Sequence, residues 1–246
     1  MAQFTVRIAE TVISVTALFD STETFCRDYI CSATPDISVA VLCEDIERER
    51  EYSERENKIN NEPIVNYSDA YLETLALYRK ICEELIDRDI LLFHGAGISV
   101  NGSGILFTAP SGTGKTTHIK LWHKLCKREN RSFAVINGDK PLIKITEDGV
   151  KMFGTPWQGK EGYGCNSSAP LNAIVVLARG ESNRMDEVKV SSVLDVLIQQ
   201  SYRPRNSMKL IKTLSMLDKL SRNVKTYKLF CNMDISAAEV AYNAVF

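Results

Sequence analysis

The chain reads as a mixed α/β protein, with an N-terminal β-rich lobe over residues 1–89 and a second α/β region over residues 90–246. Three observations carry that reading. The first forty or so residues alternate in short Val/Ile/Thr-rich runs ("FTVRI", "VISVTAL", "ISVAVLCE"), the pattern of strands with one face buried. Residues 90–109, "ILLFHGAGISVNGSGILFTA", place Asn101–Gly102 between two apolar runs, the strongest short-range signal for a hairpin because both central positions need positive φ. Residues 109–117, "APSGTGKTT", then sit between an apolar strand and a helical pattern.

Taken in order, residues 44–57 ("EDIEREREYSEREN") are a run of interspersed charges. The expectation is a solvated loop or exposed edge rather than a binding tail. Residues 68–88 open on a Ser/Asp cap and set Leu72, Leu75, Tyr78, Ile81, Cys82 and Leu85 at helical spacing, predicting an amphipathic helix whose stripe is core. The Asn-Gly hairpin predicts that the strand feeding residues 109–117 pairs antiparallel with its predecessor. A helix follows from Gly114 to Arg128. Strands are expected at "FAVIN", "PLIKI", "KMFG", "LNAIVVLA" and "TYKLF", and helices over 191–202, 206–222 and 235–245. Between them, residues 154–170 form a long glycine-rich loop.

Composition excludes several classes of function. Formal net charge is -1, so no global field attracts nucleic acid or an anionic membrane. The first twenty residues lack a basic start and an unbroken apolar run, so no secretory leader is expected, and no stretch has the length of a membrane span. Seven scattered cysteines without C-x-x-C spacing predict reduced, buried thiols in a cytoplasmic protein rather than a zinc or redox site.

The stretch at 109–117 departs from G-x-x-x-x-G-K-[ST] only in carrying Ala109 at the first glycine. Such a loop turns backbone N–H groups inward around phosphates and ends at a helix N-terminus that favours anions. The reading is an ATP site with Mg²⁺. Ser111, Gly112, Thr113, Gly114, Lys115, Thr116 and Thr117 form the cradle, Lys115 is the charge clamp and Thr116 a Mg²⁺ ligand. Asp139, at the end of "FAVIN", is the expected second metal ligand, against a plain turn aspartate in "NGDK". His94 ends a strand beside Gly95 and Gly97, which permit close backbone approach; it is read either as a satisfied structural histidine or as a catalytic one. In the loop, Lys160 suits neutralisation of a transferred phosphoryl group, and Glu161 suits metal binding or acceptance of a hydroxyl proton. Arg203 and Arg205 bracket Pro204 as an anion clamp or a solvated interhelical turn. His118 and His123, five residues apart on one helix, do not make a metal pair.

With these residues gathered, the chain resembles the superfamily of HPr kinase/phosphorylase and phosphoenolpyruvate carboxykinase, and within it small bacterial carboxykinase-like kinases. The resemblance runs over roughly residues 75–180, through "ALYRKI", "LLFHGAGI", "LFTAPSGTGKTTHIKLW", "INGDKPLIKI" and "GTPWQGKEG". It implies a P-loop core of that type and a Mg·ATP-dependent kinase, with a small-molecule or peptide/protein hydroxyl as acceptor and with homo-oligomerisation possible by analogy. These kinases typically carry two consecutive aspartates where this chain has Gly138–Asp139. The metal ligand is retained and the residue matching the base is glycine, which leaves open an ATP-binding regulator that gates a partner, or a plain ATPase.

Overall fold

The computed structural model describes residues 1–59, 63, 65–110 and 112–246, which divide into two compact units, Met1–Glu84 and Leu85–Phe246. In the first unit the expected strands form as β1 (Ala2–Ile8), β2 (Thr11–Ala17) and, after a short helix α1 (Asp20–Phe25), β3 (Ile37–Ala40). β1 and β2 pair antiparallel, and β2 and β3 pair parallel. Two helices follow, α2 (Cys43–Ile59) and α3 (Asp69–Leu85).

Helix α2 corrects the expectation of a solvated loop at 44–57. Its buried set includes Asp45, Ile46 and Glu49, so charge rather than an apolar stripe anchors it. Glu49 receives both the Nε and the Nη2 of Arg79. The Asp45 carboxylate accepts the Leu42 N–H at 2.9 Å, one half of a capping box. On α3, the fully buried Glu73 accepts the Leu18 and Phe19 N–H groups and the Thr22 hydroxyl at the start of α1.

The second unit contains β4 (Ile90–Leu92), β5 (Ala96–Val100), β6 (Ser103–Thr108), α4 (Lys115–Arg128), β7 (Phe133–Asn137), β8 (Leu142–Thr146) and β9 (Gly149–Phe153). They are followed by β10 (Ser168–Arg179), β11 (Arg184–Glu187), α5 (Leu194–Gln200), α6 (Ser207–Asn223), β12 (Lys225–Cys231) and α7 (Ser236–Val245). Asn101 and Gly102 adopt φ 49° and 84°, as the hairpin requires, and β5 and β6 pair antiparallel. On its other edge β6 pairs parallel with β10. The strand leading into residues 109–117 therefore has one neighbour of each sense, which extends the expectation of antiparallel pairing. β10 begins antiparallel to β9 over Ser168–Pro170 and continues between β6 and β12, parallel to both.

Burial on both faces explains the unbroken apolar run of β10. Ile174 and Val176 point into a core closed by Leu197 of α5 and Met216, Leu217 and Leu220 of α6. Ala173, Val175 and Leu177 point into the opposite core with Trp122 of α4 and Ala237, Ala238 and Ala241 of α7. Among the thiols, Cys26, Cys82 and Cys126 are buried as expected, but Cys43 and Cys165 are exposed. No helix among the described residues is long and apolar enough to cross a membrane.

His118 belongs to this second core. Its Nε2 accepts the Trp122 Nε1–H at 3.0 Å, and its ring meets Phe107 edge-on at 4.6 Å. Burial pushes the imidazole down to about 3 from 6.5, so it is neutral in the folded chain. The unfolded chain takes up a proton below pH 6.5 that the fold excludes, so this contribution to stability is complete above that pH and is lost progressively toward pH 3. Urea unfolding at pH 7 and pH 5 will show a loss of about 2 kcal/mol from this group. His118→Gln, which retains an acceptor for Trp122, will lose correspondingly less over the same interval.

Candidate functional site

The site forms where three segments meet: the turn after β4, the loop between β6 and α4, and the turn after β7. Buried Thr108, at the end of β6, donates its hydroxyl to the His94 carbonyl at 3.1 Å. The Gly95 N–H donates to the Asp139 carbonyl at 2.9 Å. The close approach expected at Gly95 is to the protein itself: a methyl group there would lie 2.8 Å from the Phe107 carbonyl oxygen of β6.

In the loop, Gly112 and Gly114 hold φ 75° and 113°, left-handed conformations that admit glycine readily. Gly114 caps α4 without a side-chain hydrogen bond, and the first turn of α4 carries no acid. The first N–H groups of the helix thus face the loop without a carboxylate in competition. The Thr113 hydroxyl donates to the Pro110 carbonyl at 2.8 Å, while Thr116 and Thr117 sit half-buried in the first turn of α4. Lys115 Nζ donates to the Ala109 carbonyl at 2.9 Å. Ser111 lies outside the described residues.

Asp139 and His94 are brought together, with His94 Nε2 3.3 Å from Asp139 Oδ1. Burial raises the Asp139 pKa, but the His94 hydrogen bond and the charges of Lys140, His94 and Lys115 outweigh it and hold the carboxyl below its ordinary range. Burial lowers the Lys115 ammonium below the usual lysine range, against the opposing pull of Asp139. Lys115, Asp139 and His94 therefore form one electrostatic cluster.

Lys160 and Glu161 are not joined to it. They occupy an exposed turn closed by the Gly162 N–H to the Gly159 carbonyl, and neither side chain has a partner among the described residues. Their loop does reach the cluster through backbone, since a methyl on Gly159 would meet Asp139 Cβ at 2.9 Å. The segment of Arg203 and Arg205 runs beside β4: the His94 N–H donates to the Gln200 carbonyl, and Tyr202 N–H to that of Leu92.

Two residues with no role in the sequence reading shape the site. Asn137, fully buried at the end of β7, accepts the Asp139 and Lys140 N–H groups on Oδ1 at 2.9 and 2.7 Å. Its Nδ2 donates to the Thr155 hydroxyl and to the Thr155 and Trp157 carbonyls. The signal was an asparagine two residues before the aspartate, the spacing of a side chain that bonds backbone ahead of it. Arg179, at the end of β10, donates from Nη2 to the Gly112 carbonyl at 2.8 Å. Only the parallel pairing of β10 with β6 carries it there, which no local pattern announces.

The glycine at 138 has a packing reason. Its N–H donates to the Tyr163 carbonyl at 2.7 Å. A methyl group on it would lie 3.0 Å from the Tyr163 oxygen and 3.3 Å from that of Gln158. The glycine-rich loop is thus laid directly over Gly138.

Asn137→Ala removes both halves of this arrangement and will cost about 3 kcal/mol in urea unfolding, because several buried partners lose their hydrogen bonds at once. Asn137→Asp keeps the acceptor but sets a carboxylate against two carbonyls, and will lose a comparable amount. A loss below about 1 kcal/mol for the alanine variant would contradict the assignment.

No protein-family model matches the chain, and no curated protein matches it. Among solved structures, the Hpr(Ser) kinase/phosphatase from Coxiella burnetii is similar over 53% of this chain and 92% of that one, at 13% identity and a TM-score of 0.27. The functional reading rests on the residues of the site.

Proposed function

We propose that the chain is a Mg·ATP-dependent kinase that transfers the γ-phosphoryl group to a hydroxyl of a small molecule or a peptide or protein serine. The observation that supports this is the pairing of Asp139 with His94 at 3.3 Å, within electrostatic reach of Lys115, the lysine of the 109–117 loop. Phosphoryl transfer relies on positioning and charge stabilisation, and a carboxylate that can hold Mg²⁺ with a proton acceptor beside it supplies both roles here.

The residues suit magnesium. One ionised carboxylate, Asp139, and one first-turn hydroxyl, Thr116, are the sparse donors typical of a Mg²⁺ held jointly with phosphates. Bound there, the ion would neutralise phosphate charge. Residues 112–117 would cradle the phosphates through backbone N–H groups, and Lys115 would exchange the Ala109 carbonyl for phosphate oxygens. His94, oriented through Nε2 by Asp139, stands nearest to take the acceptor's proton. Lys160 and Glu161 would act on the transferred group or the acceptor only if their turn moves toward the cluster.

A second reading is favoured by Gly138: an ATP-binding regulator with attenuated catalysis, whose nucleotide state gates a partner. The loop backbone occupies the place of the missing aspartate.

Incubation with γ-labelled ATP and a size-fractionated bacterial lysate tests the proposal, alongside calorimetric titration with Mg·ATP. Labelled acceptor will form with the natural chain and fall at least a hundredfold with Lys115→Ala, which keeps its fold by circular dichroism. Label persisting in that variant would sink the kinase reading. Tight Mg·ATP binding with no labelled acceptor would instead select the regulator. Gly138→Asp must displace Tyr163 and Gln158 and will cost about 1–3 kcal/mol in unfolding. A rise in transfer despite that loss identifies attenuation at this position.

A further inference from the structure

Helix α6 buries Thr213, Met216, Leu217 and Leu220 against the sheet, as an amphipathic helix should. Its outward face over the first two turns is not polar. Met208 is 72% exposed, Ile211 61%, Leu214 44% and Leu210 36%. The exposed residues that flank them are Ser207 and Ser215. A surface helix ordinarily turns charge to solvent, and four large apolar side chains on adjacent turns mark an interaction face.

The cations within this stretch are directed away from that face. Lys209 Nζ lies 3.4 Å from Asp87 Oδ2; Lys212 Nζ donates to the Asp87 carbonyl at 2.9 Å and lies 3.4 Å from Asp89 Oδ1. Charge gathers instead at the two ends of the apolar row: Arg203 and Arg205 before it, Lys219 and Arg222 after it, with Asp218 the one acid between Arg203 and Arg222. Arg222 pairs with Asp218 at 2.9 Å, so around the row six cations (Arg203, Arg205, Lys209, Lys212, Lys219 and Arg222) meet three carboxylates (Asp87, Asp89 and Asp218), and this excess of positive charge selects the occupant. An antiparallel pairing of α6 with a second copy would set the arginine end of one against the lysine–arginine end of the other, a like-charge arrangement. An anionic membrane is disfavoured because the row, residues 207–215, holds no aromatic anchor.

We infer that the outward face of α6, Met208, Leu210, Ile211 and Leu214, is a docking site for an amphipathic helix of another protein whose apolar stripe is bordered by acidic residues. Helix-on-helix packing uses such a row, and the basic ends fix orientation and speed encounter. The inference rests on the exposed face alone and stands apart from the kinase reading.

The test uses the full chain and two labelled eighteen-residue peptides sharing one Leu/Ile helical stripe, one bordered by Glu and the other by Lys. Fluorescence anisotropy will show the acidic peptide binding at least tenfold more tightly, with affinity falling as salt rises. Ile211→Glu with Leu214→Glu will weaken it at least tenfold, and Met208→Ser with Ile211→Ser offers a second, charge-neutral route to the same loss. Arg203→Ala with Arg205→Ala will weaken it and flatten the salt dependence. All these positions are exposed, and thermal melts check that the fold is kept. Equal binding of the two peptides, or unchanged binding by the Glu variant, overturns the inference. So does a dimer in sedimentation velocity that the Glu variant disperses, which would make the occupant a second copy. Flotation with phosphatidylglycerol vesicles that the Glu variant abolishes would make it a membrane.

Discussion

The candidate site depends on the hydrogen bonds of one buried side chain. Asn137 ends β7 and uses its amide in two directions, holding the backbone of Asp139 and Lys140 on one side and of Thr155 and Trp157 on the other. A buried amide of this kind is held in one orientation by its partners, since exchanging its oxygen and nitrogen would set donors against donors. The position of Asp139 is therefore inherited from the sheet rather than from a surface turn. The same side chain decides where the glycine-rich loop starts. The loop then lies over Gly138, and what sits beside Asp139 follows from that.

The cationic half of the site is held by different means. Lys115 and Arg179 each donate to a carbonyl of the 109–117 loop, at Ala109 and at Gly112. They come from α4 and from β10, so the loop is gripped by the helix it begins and by the strand alongside it. Asp139 meets this half only through charge. Its carboxyl is drawn below its ordinary range by His94, Lys140 and Lys115 despite burial, which keeps it ionised where a cation or a donated hydrogen bond could use it.

Much of this was legible in the residues. The hairpin at Asn101–Gly102, the α3 stripe and the strand–loop–helix around Lys115 each rest on a local rule with one dominant cause: positive φ, helical periodicity, or the chemistry of a phosphate cradle. Asp139 and His94 were legible as strand-end residues, though not as partners, because their contact crosses β4 to the turn after β7. Helix α2 was misread because its anchors are Glu49 and Asp45, and a helix pinned by buried charge carries no apolar period to detect. Lys160 and Glu161 were chosen for their glycine-rich surroundings. Of those glycines Gly159 instead lets backbone approach Asp139, while the two charged residues are exposed. Asn137 and Arg179 were missed for opposite reasons: the first acts through backbone that any turn contains, the second through a pairing far apart in sequence.

The strand that feeds the phosphate loop has neighbours that arrive at different times in synthesis. β5 precedes β6 immediately, joined by a two-residue turn, and such a hairpin closes in microseconds. β10, the parallel neighbour, follows a helix and three further strands, and its own other partner, β12, comes later still. Loop-closure entropy must be met before those pairings return any burial. The β5–β6 hairpin can thus close before Arg179 reaches Gly112, although a two-stranded hairpin is only marginally stable until further strands join it. The loop acquires its second grip only when β10 pairs with β6, so the surroundings of Lys115 are completed by a pairing distant in sequence rather than by the local motif that announces it.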